Sequence, residues 1–331
     1  MVTMRRGLAR AGLLAAAAAL ALAGCSSSGS AANGGTSSAS VQASGKPEVS
    51  NITFGILPTP DYAGVQIAID KGYFKAEGLN VKTTILNSAT ASADILNNTY
   101  QIAGLNWINF IAAVDQGVGL TAVTTADYGV PNYAQIMVSA KSPYHSLADL
   151  NGKPVGVVAT PGNCDLIPDA QIAATGSSAK PKYENLAIPQ MQTEVSNGGV
   201  AAACVPQPTL GAMQATGQFR SVDDVFSGKF AGFPIATFVT SKSFAQQNPS
   251  TVAALARALS KAAQQASANP GLVRTALKEY TTIPAAAIEK MVLPTYADGI
   301  DQSKLQTVVN LIKSSGLDSS ATLPTGSVWE H

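Results

Sequence analysis

ITFGILPTPDYAGVQIAIDKGYFKAEGLNVKTTIL, residues 52–86, reads as strand, helix, turn, strand. Residues 52–56 are an apolar run with β-branched members. Asp61 heads a helical stretch that runs through Lys71 and stops at Gly72. Tyr73 and Phe74 begin a turn that Gly78 closes, and Val81 to Leu86 is a second strand. Two strands joined through a helix predict a parallel pair. The pattern repeats outward: a helix over 90–98, a strand over 100–105, a helix capped by Asn106 and ended by Gly117, and a strand over 120–125.

The alternation restarts beyond residue 130. Strands are expected over 134–139, 154–159, 183–188 and 200–205, with a short capping box at Ser146 and Asp149 and helices over 164–174, 189–196 and 208–216. One more strand, 235–240, precedes a tail that is nearly all helix, punctuated by Pro249, Pro270, Pro284 and Pro294. That strand has no sheet of its own to found, so the economical topology returns it to the first sheet. The fold class is therefore α/β and two-lobed, each lobe a mostly parallel sheet flanked by helices. Two hinge crossovers fall near 129–134 and 231–236, where Gly129, Pro131, Gly232 and Pro234 stand. The expected boundaries are 49–130 plus 236–331 for the first lobe and 131–235 for the second.

Composition narrows the function. The chain of 331 residues is 46% hydrophobic and 12% charged, with a net charge of +1. It has the apolar content for a sizeable core, and it lacks the basic stripe of a nucleic-acid binder. Two histidines, His145 and His331, and three cysteines leave too few ligands for most zinc sites. No metal and no cofactor are expected. There is no nucleophile-elbow serine motif, no Walker-type loop and no C-x-x-C. Gly117-Val118-Gly119 resembles half a dinucleotide fingerprint, but it follows a helix where that motif needs a strand. His145 lies in a turn of surface character and receives no role.

The first fifty residues read as an address and a tether. Arg5, Arg6 and Arg10 precede an uncharged apolar run over 11–24, which is too short to span a bilayer and suits a signal peptide. The signal peptide is expected over 1–24. Leu22-Ala23-Gly24-Cys25 resembles a bacterial lipobox, which implies lipidation at Cys25. Residues 26–46 are almost only Ser, Gly and Ala, so a flexible linker is expected through residue 48. Cleavage before Cys25 would leave eighteen basic against twenty acidic residues, a net charge of −2. It would also leave Cys164 and Cys204 as an even pair outside the cytoplasm, which suggests a disulfide. Two separate buried thiols are the alternative.

AIDKGYFKAEGLNV (68–81) resembles the signature of the nitrate/sulfonate/taurine and thiamine-pyrimidine binding proteins, the SsuA/THI5-like group. SLADLNGKPVGVVATPG (146–162) resembles the segment that opens the second lobe of type II periplasmic binding proteins. GGVAAACVPQP (198–208) is similar to a later strand end, with Ala202 where many relatives carry Asp. The resemblance covers about 50–320. It implies a monomeric, hinged receptor on the extracytoplasmic face of the bacterial membrane, held there by its lipid. It implies no catalysis: a small-molecule solute is delivered to an ABC permease and its ATPase, with no nucleic-acid partner. Two alternatives stay open. One is a solute sensor serving a signalling partner. The other is a THI5-like pyrimidine-synthesising enzyme, disfavoured by the export signal and the shortage of histidine and cysteine.

Ligands of open α/β sheets sit beyond the carboxyl ends of the strands, which nominates the site. Asp61 and Tyr62 follow the first strand, Asn87 the second, and Asn106 and Trp107 the third. Tyr128 precedes the first hinge. Thr160, Asn163 and Gln207 follow strands of the second lobe. Asp61 is equally an N-cap candidate, and Trp107 is expected at the crevice with one side wet. The expected rim holds Asp61, Asp127 and Asp165 and no Lys or Arg. A bidentate oxyanion is usually met by a guanidinium, so the charge pattern points to a neutral or cationic ligand with a flat or apolar part.

Overall fold

A computed structural model describes residues 45–88 and 90–329. The expected signal peptide, Cys25 and nearly all of the linker lie outside the described residues. The first stretch builds β1 (Asn51–Ile56), α1 (Ala63–Asp70), α2 (Tyr73–Ala76), β2 (Asn80–Ile85), α3 (Ala91–Leu96), β3 (Ile102–Asn106), α4 (Trp107–Asp115) and β4 (Leu120–Thr125). A two-residue strand, β5 (Asp127–Tyr128), leads across to β6 (Ala134–Ser139). Then come β7 (Pro154–Val157), α5 (Asn163–Ala174), β8 (Lys182–Asn185), α6 (Ile188–Asn197), β9 (Ala202–Pro206), α7 (Thr209–Ala215) and β10 (Phe219–Asp224). The chain returns as β11 (Ala236–Ser241). It finishes with α8 (Lys242–Gln247), α9 (Pro249–Ala268), α10 (Pro270–Tyr280), α11 (Ala285–Lys290), β12 (Thr295–Tyr296) and α12 (Gln302–Ser315).

The strands form two five-stranded sheets, ordered β2-β1-β3-β11-β4 and β10-β6-β9-β7-β8. Both are mixed. In the first, β11 runs antiparallel to β3 and β4, while β1 pairs in parallel with β2 and β3. In the second, β6 runs antiparallel to β9 and β10, while β7 pairs in parallel with β8 and β9. Each sheet therefore has one strand opposed to the other four, and in each it is the strand that follows a crossover. A chain arriving from the neighbouring lobe enters at the cleft end of the sheet and must run the other way.

Burial follows position in the sheets. β4 and β11 are buried along their whole length. The edge strands β2 and β8 are largely exposed and carry Lys82, Lys182 and Glu184, charges that discourage edge pairing. The other edge, β4, is covered near the C-terminus, where Val328 bridges to Ala122 and the Trp329 amide donates to the Ala122 carbonyl at 2.7 Å. Asn106 caps α4, its side chain accepting from the Asn109 amide at 2.8 Å. At the start of the folded body the Glu48 carboxylate accepts from the Ser250 and Thr251 amides, tying the entry of the chain to the first turn of α9.

The two crossovers form a ribbon. The Gly129 amide donates to the Phe233 carbonyl and the Gly232 amide to the Gly129 carbonyl, both at 2.8 Å, and the Ile235 amide donates to the Asp127 carbonyl. β5 also pairs with β12. Away from the ribbon, α12 packs against both α4 and α5, and α11 against α7. Among the described residues no helix is long and apolar enough to cross a membrane.

Candidate functional site

A cavity of about 110 Å³ lies between the carboxyl ends of the two sheets. The first sheet supplies Leu57, Thr59, Asp61 and Tyr62 after β1, Leu86 and Ser88 after β2, and Gly104, Leu105, Asn106 and Asn109 around the junction of β3 and α4. Ile235 and Ala236 close that side. The second sheet supplies Tyr133 and Ala134, Val158 and Ala159, Asn163 and Cys164, and Ile188, Pro206 and Phe226. The walls approach closely at the rim: a Cβ built on Gly162 would lie 3.3 Å from Asn106 Nδ2. Asp61 is the only charged residue among those lining the cavity.

The loop carrying Asp61 is held by three phenol groups from three different elements. Tyr133 donates to the Asp61 carboxylate, Tyr280 to the Thr59 carbonyl at 2.8 Å, and Tyr296 to the Pro60 carbonyl at 3.0 Å. Burial, and then the neighbouring carboxylates and phenols, push all three hydroxyls well above the usual tyrosine range, so they remain donors. Asp61 is buried and does not cap α1, whose N-cap has no side-chain hydrogen bond. Its carboxylate accepts from Tyr133, and the residue lines the cavity.

Tyr62 forms an aromatic wall, its ring 5.9 Å from that of Phe238, and the Tyr133 and Phe226 rings lie 6.2 Å apart on the other side. Tyr62 reaches this position because Gly104 has no side chain: a Cβ there would fall 2.2 Å from the ring. Gly104→Ala is therefore expected to destabilise the protein by about 1–3 kcal/mol, because the buried ring must leave its place. Urea unfolding would show this, and an unchanged midpoint would mean that the ring moves freely.

Two residues of the lining carry an unmet polar atom. Asn109 Oδ1 and Asn163 Oδ1 are both buried and unpartnered, one from each lobe. Cys164, beside Asn163, is bonded to Cys204 with the sulfurs 1.97 Å apart.

The structure brings Asp61, Tyr62, Asn106 and Asn163 together at the cavity. Five other sequence candidates lie elsewhere. Trp107 is 0% exposed, its ring 5.5 Å from Phe110 and edge-to-face, so the expectation of a half-wet indole is corrected. It is the first residue of α4, and as the chain turns from β3 into the helix Asn106 stays at the cleft while its neighbour enters the core. Tyr128 belongs to the hinge ribbon, with Lys304 Nζ 3.8 Å above its ring. Gln207 is buried and consumed locally, donating to the Asn132 carbonyl and accepting from the Gly211 amide. Thr160 is exposed and donates to Asn185 Oδ1 at 3.3 Å. Asn87 is exposed and stands between Leu86 and Ser88, which do line the cavity. His145 is exposed.

The expected acidic rim is corrected as well, since neither Asp127 nor Asp165 lines the cavity. Asp165 turns back over its own helix, where Oδ1 accepts from the Gly162 amide at 2.6 Å. Burial raises it to about 7 against the hydrogen bonds from Gly162 and Leu166, and Asp223 rises to about 6 through burial and then Asp224. Protons that the folded state keeps are lost on unfolding above about pH 4. These groups therefore contribute stability that is fully present below that pH and lost as pH rises through about 6–7. Asp165→Asn keeps the acceptor for Gly162 but has no proton to lose. Its melting temperature is expected to fall less steeply than the wild-type's across that window, and parallel profiles would show that Asp165 is not the group responsible.

Sequence reasoning missed Asn109, Tyr133 and Phe226. Asn109 was within reach, because it stands three residues beyond the capping Asn106 on the same first turn. Tyr133 and Phe226 lie in connections where periodicity carries no signal.

Two mixed sheets facing one another across a crossover ribbon, with a cavity at their carboxyl ends, define a two-lobed binding-protein fold. The NMT1/THI5-like family model matches residues 59–272, well over half of the chain, and the chain belongs to that family. Solved structures agree on the fold. The alkanesulfonate-binding protein SsuA from Xanthomonas axonopodis pv. citri, bound to MOPS, is 16% identical with a TM-score of 0.72, covering 86% of this chain and 99% of that one. A ligand-binding component of an ABC-type import system from Staphylococcus aureus, with zinc bound, is 13% identical with a TM-score of 0.72, covering 85% and 96%. The nitrate-binding protein NrtA from Synechocystis PCC 6803 is 18% identical with a TM-score of 0.64, covering 73% and 70%. A search of curated protein sequences gives no match. Among the described residues no cluster of His, Cys, Asp and Glu could hold a metal ion.

Proposed function

We propose that this protein is an extracytoplasmic solute-binding lipoprotein. Anchored through Cys25, it captures a small neutral or cationic molecule with a planar part between its lobes and delivers it to an ABC permease and its ATPase. The observation that carries this reading is the cavity enclosed by both sheets beside the crossover ribbon, since a ligand bridging two hinged walls favours their closed arrangement. Tyr62, Tyr133 and Phe226 offer flat faces, Asp61 offers a carboxylate, and Asn109 and Asn163 add polar side chains to the lining. The lining holds no histidine, lysine or free thiol to act as base or nucleophile, which favours binding without bond chemistry.

Native mass spectrometry of protein purified from the membrane fraction tests the reading. The expected result is a diacylated N-terminal Cys25 and a retained small molecule whose uptake fails in cells lacking the protein. Undiminished uptake of that molecule would overturn delivery to an importer, and a chain that keeps residues 1–24 would overturn the anchor.

A further inference from the structure

Asp127 stands behind Asp61, outside the cavity and on the first crossover. It is 0% exposed. One carboxyl oxygen accepts from the Ala236 amide of the second crossover at 3.3 Å, and the other finds no donor. The Asp61 carboxyl is its neighbour, acting on it both as a charge and as a hydrogen-bonding group. The elements packed around the two present Tyr62, Tyr133, Tyr280 and Tyr296, all neutral phenols. The Arg274 guanidinium, which acts on Tyr296, is spent on the Glu289, Pro270 and Met291 carbonyls and on the Glu289 carboxylate. The ion pairs among the described residues join Arg257 to Glu77 and Glu289 to Arg274 and Lys278, so no side-chain cation pairs with either aspartate.

Two adjacent buried carboxylates without a cation cannot both be ionised, because desolvation and mutual repulsion act in the same direction. A single proton between them supplies the donor that the orphaned Asp127 oxygen lacks. We propose that Asp61 and Asp127 share one proton, carried on Asp127 at the hinge, so that the cavity presents a single negative charge and takes a compact organic monocation. This rests on the reading of the protein as a binding protein and narrows it. Burial, and then Asp61, raise Asp127 well above the usual carboxylate range, which agrees with a proton held there at neutrality. A planar cation with N–H groups meets the Asp61 carboxylate and the aromatic faces of Tyr62, Tyr133 and Phe226. Asp127 is thus a specificity-determining residue that does not line the cavity.

The proton is tested on the ligand-free protein by infrared difference spectroscopy, wild type minus Asp127→Asn, at about pH 8, so that bands from Asp165 and Asp223 cancel. The expected result is a protonated-carboxyl C=O band that shifts on deuteration, is lost in Asp127→Asn and persists in Asp61→Asn. Its absence from the wild type would overturn the shared proton. Should Asp127→Asn fail to fold, persistence of the wild-type band as pH is raised past the Asp165 value gives the same answer, and its loss in step with Asp165 the opposite one. The charge is tested by thermal shift with benzamidine, benzamide and benzoate, which have nearly one shape and differ in charge. Benzamidine alone is expected to raise the melting temperature. Equal shifts with benzamide or benzoate, or none with any of the three, would overturn the monocation. Neither outcome touches the importer reading, which stands on the retained molecule and its uptake.

Discussion

Reduction of the Cys164–Cys204 bond is expected to lower the stability of the folded body by about 4 kcal/mol and its melting temperature by about 10 °C. The bond closes a loop of 40 residues, and the loss of chain entropy it imposes on the unfolded state scales with the logarithm of that length. The loop contains most of α5, all of β8 and α6, and the first part of β9. β8 is a largely exposed edge strand, so it adds little packing of its own to hold that excursion in the folded lobe. The consequence reaches the cavity. Cys164 is the second residue of α5 and follows Asn163, whereas Cys204 is 0% exposed in the middle of β9. The bond therefore pins the start of one wall to the centre of its sheet. Cys164→Ala/Cys204→Ala should match the reduced protein in urea unfolding, since alanines leave the packing nearly intact and remove only the tether. A loss below about 1 kcal/mol in both would show that packing alone organises this lobe.

The fold was legible wherever burial imposes a period. β3, β4, β9 and β11 are apolar or β-branched runs buried nearly throughout, β1 is buried along one face, and the prolines at 249, 270 and 284 mark helix starts or boundaries in the tail. β10 was not legible. Its FRSVDD sequence is half-buried, lies at a sheet edge and carries a register shift, so neither alternation nor hydrophobicity marks it. β5 and β12 are two residues each and are defined only by each other. Strand ends located the cavity but not the side chains that reach it. A one-residue step leaves Asn106 at the cavity and Trp107 in the core, and composition is silent about that step. The role of Asp61 was hidden for another reason: its partner, Tyr133, lies 72 residues away across the first crossover.

Asp61→Asn is expected to leave the protein folded and to empty it. The amide oxygen can still accept from Tyr133, so the phenol keeps its acceptor and the melting temperature should fall by no more than a few degrees. The charge, however, is gone from the cavity, and Asp127, which does not line it, does not replace it there. Removing one member of a buried, hydrogen-bonded charge pair costs about 2–5 kcal/mol of binding, at least about 30-fold in affinity. A molecule retained by the wild type through purification should therefore be missing from the variant in native mass spectra recorded side by side. Asp61→Leu separates charge from architecture. It removes the acceptor of Tyr133 as well and should cost about 1–3 kcal/mol of stability in addition to the lost ligand. If Asp61→Asn instead retains its ligand at full occupancy while Asp61→Leu unfolds, the carboxylate serves only to position the Thr59–Tyr62 loop. Recognition would then fall to Asn109, Asn163 and the aromatic walls, and the ligand would be neutral.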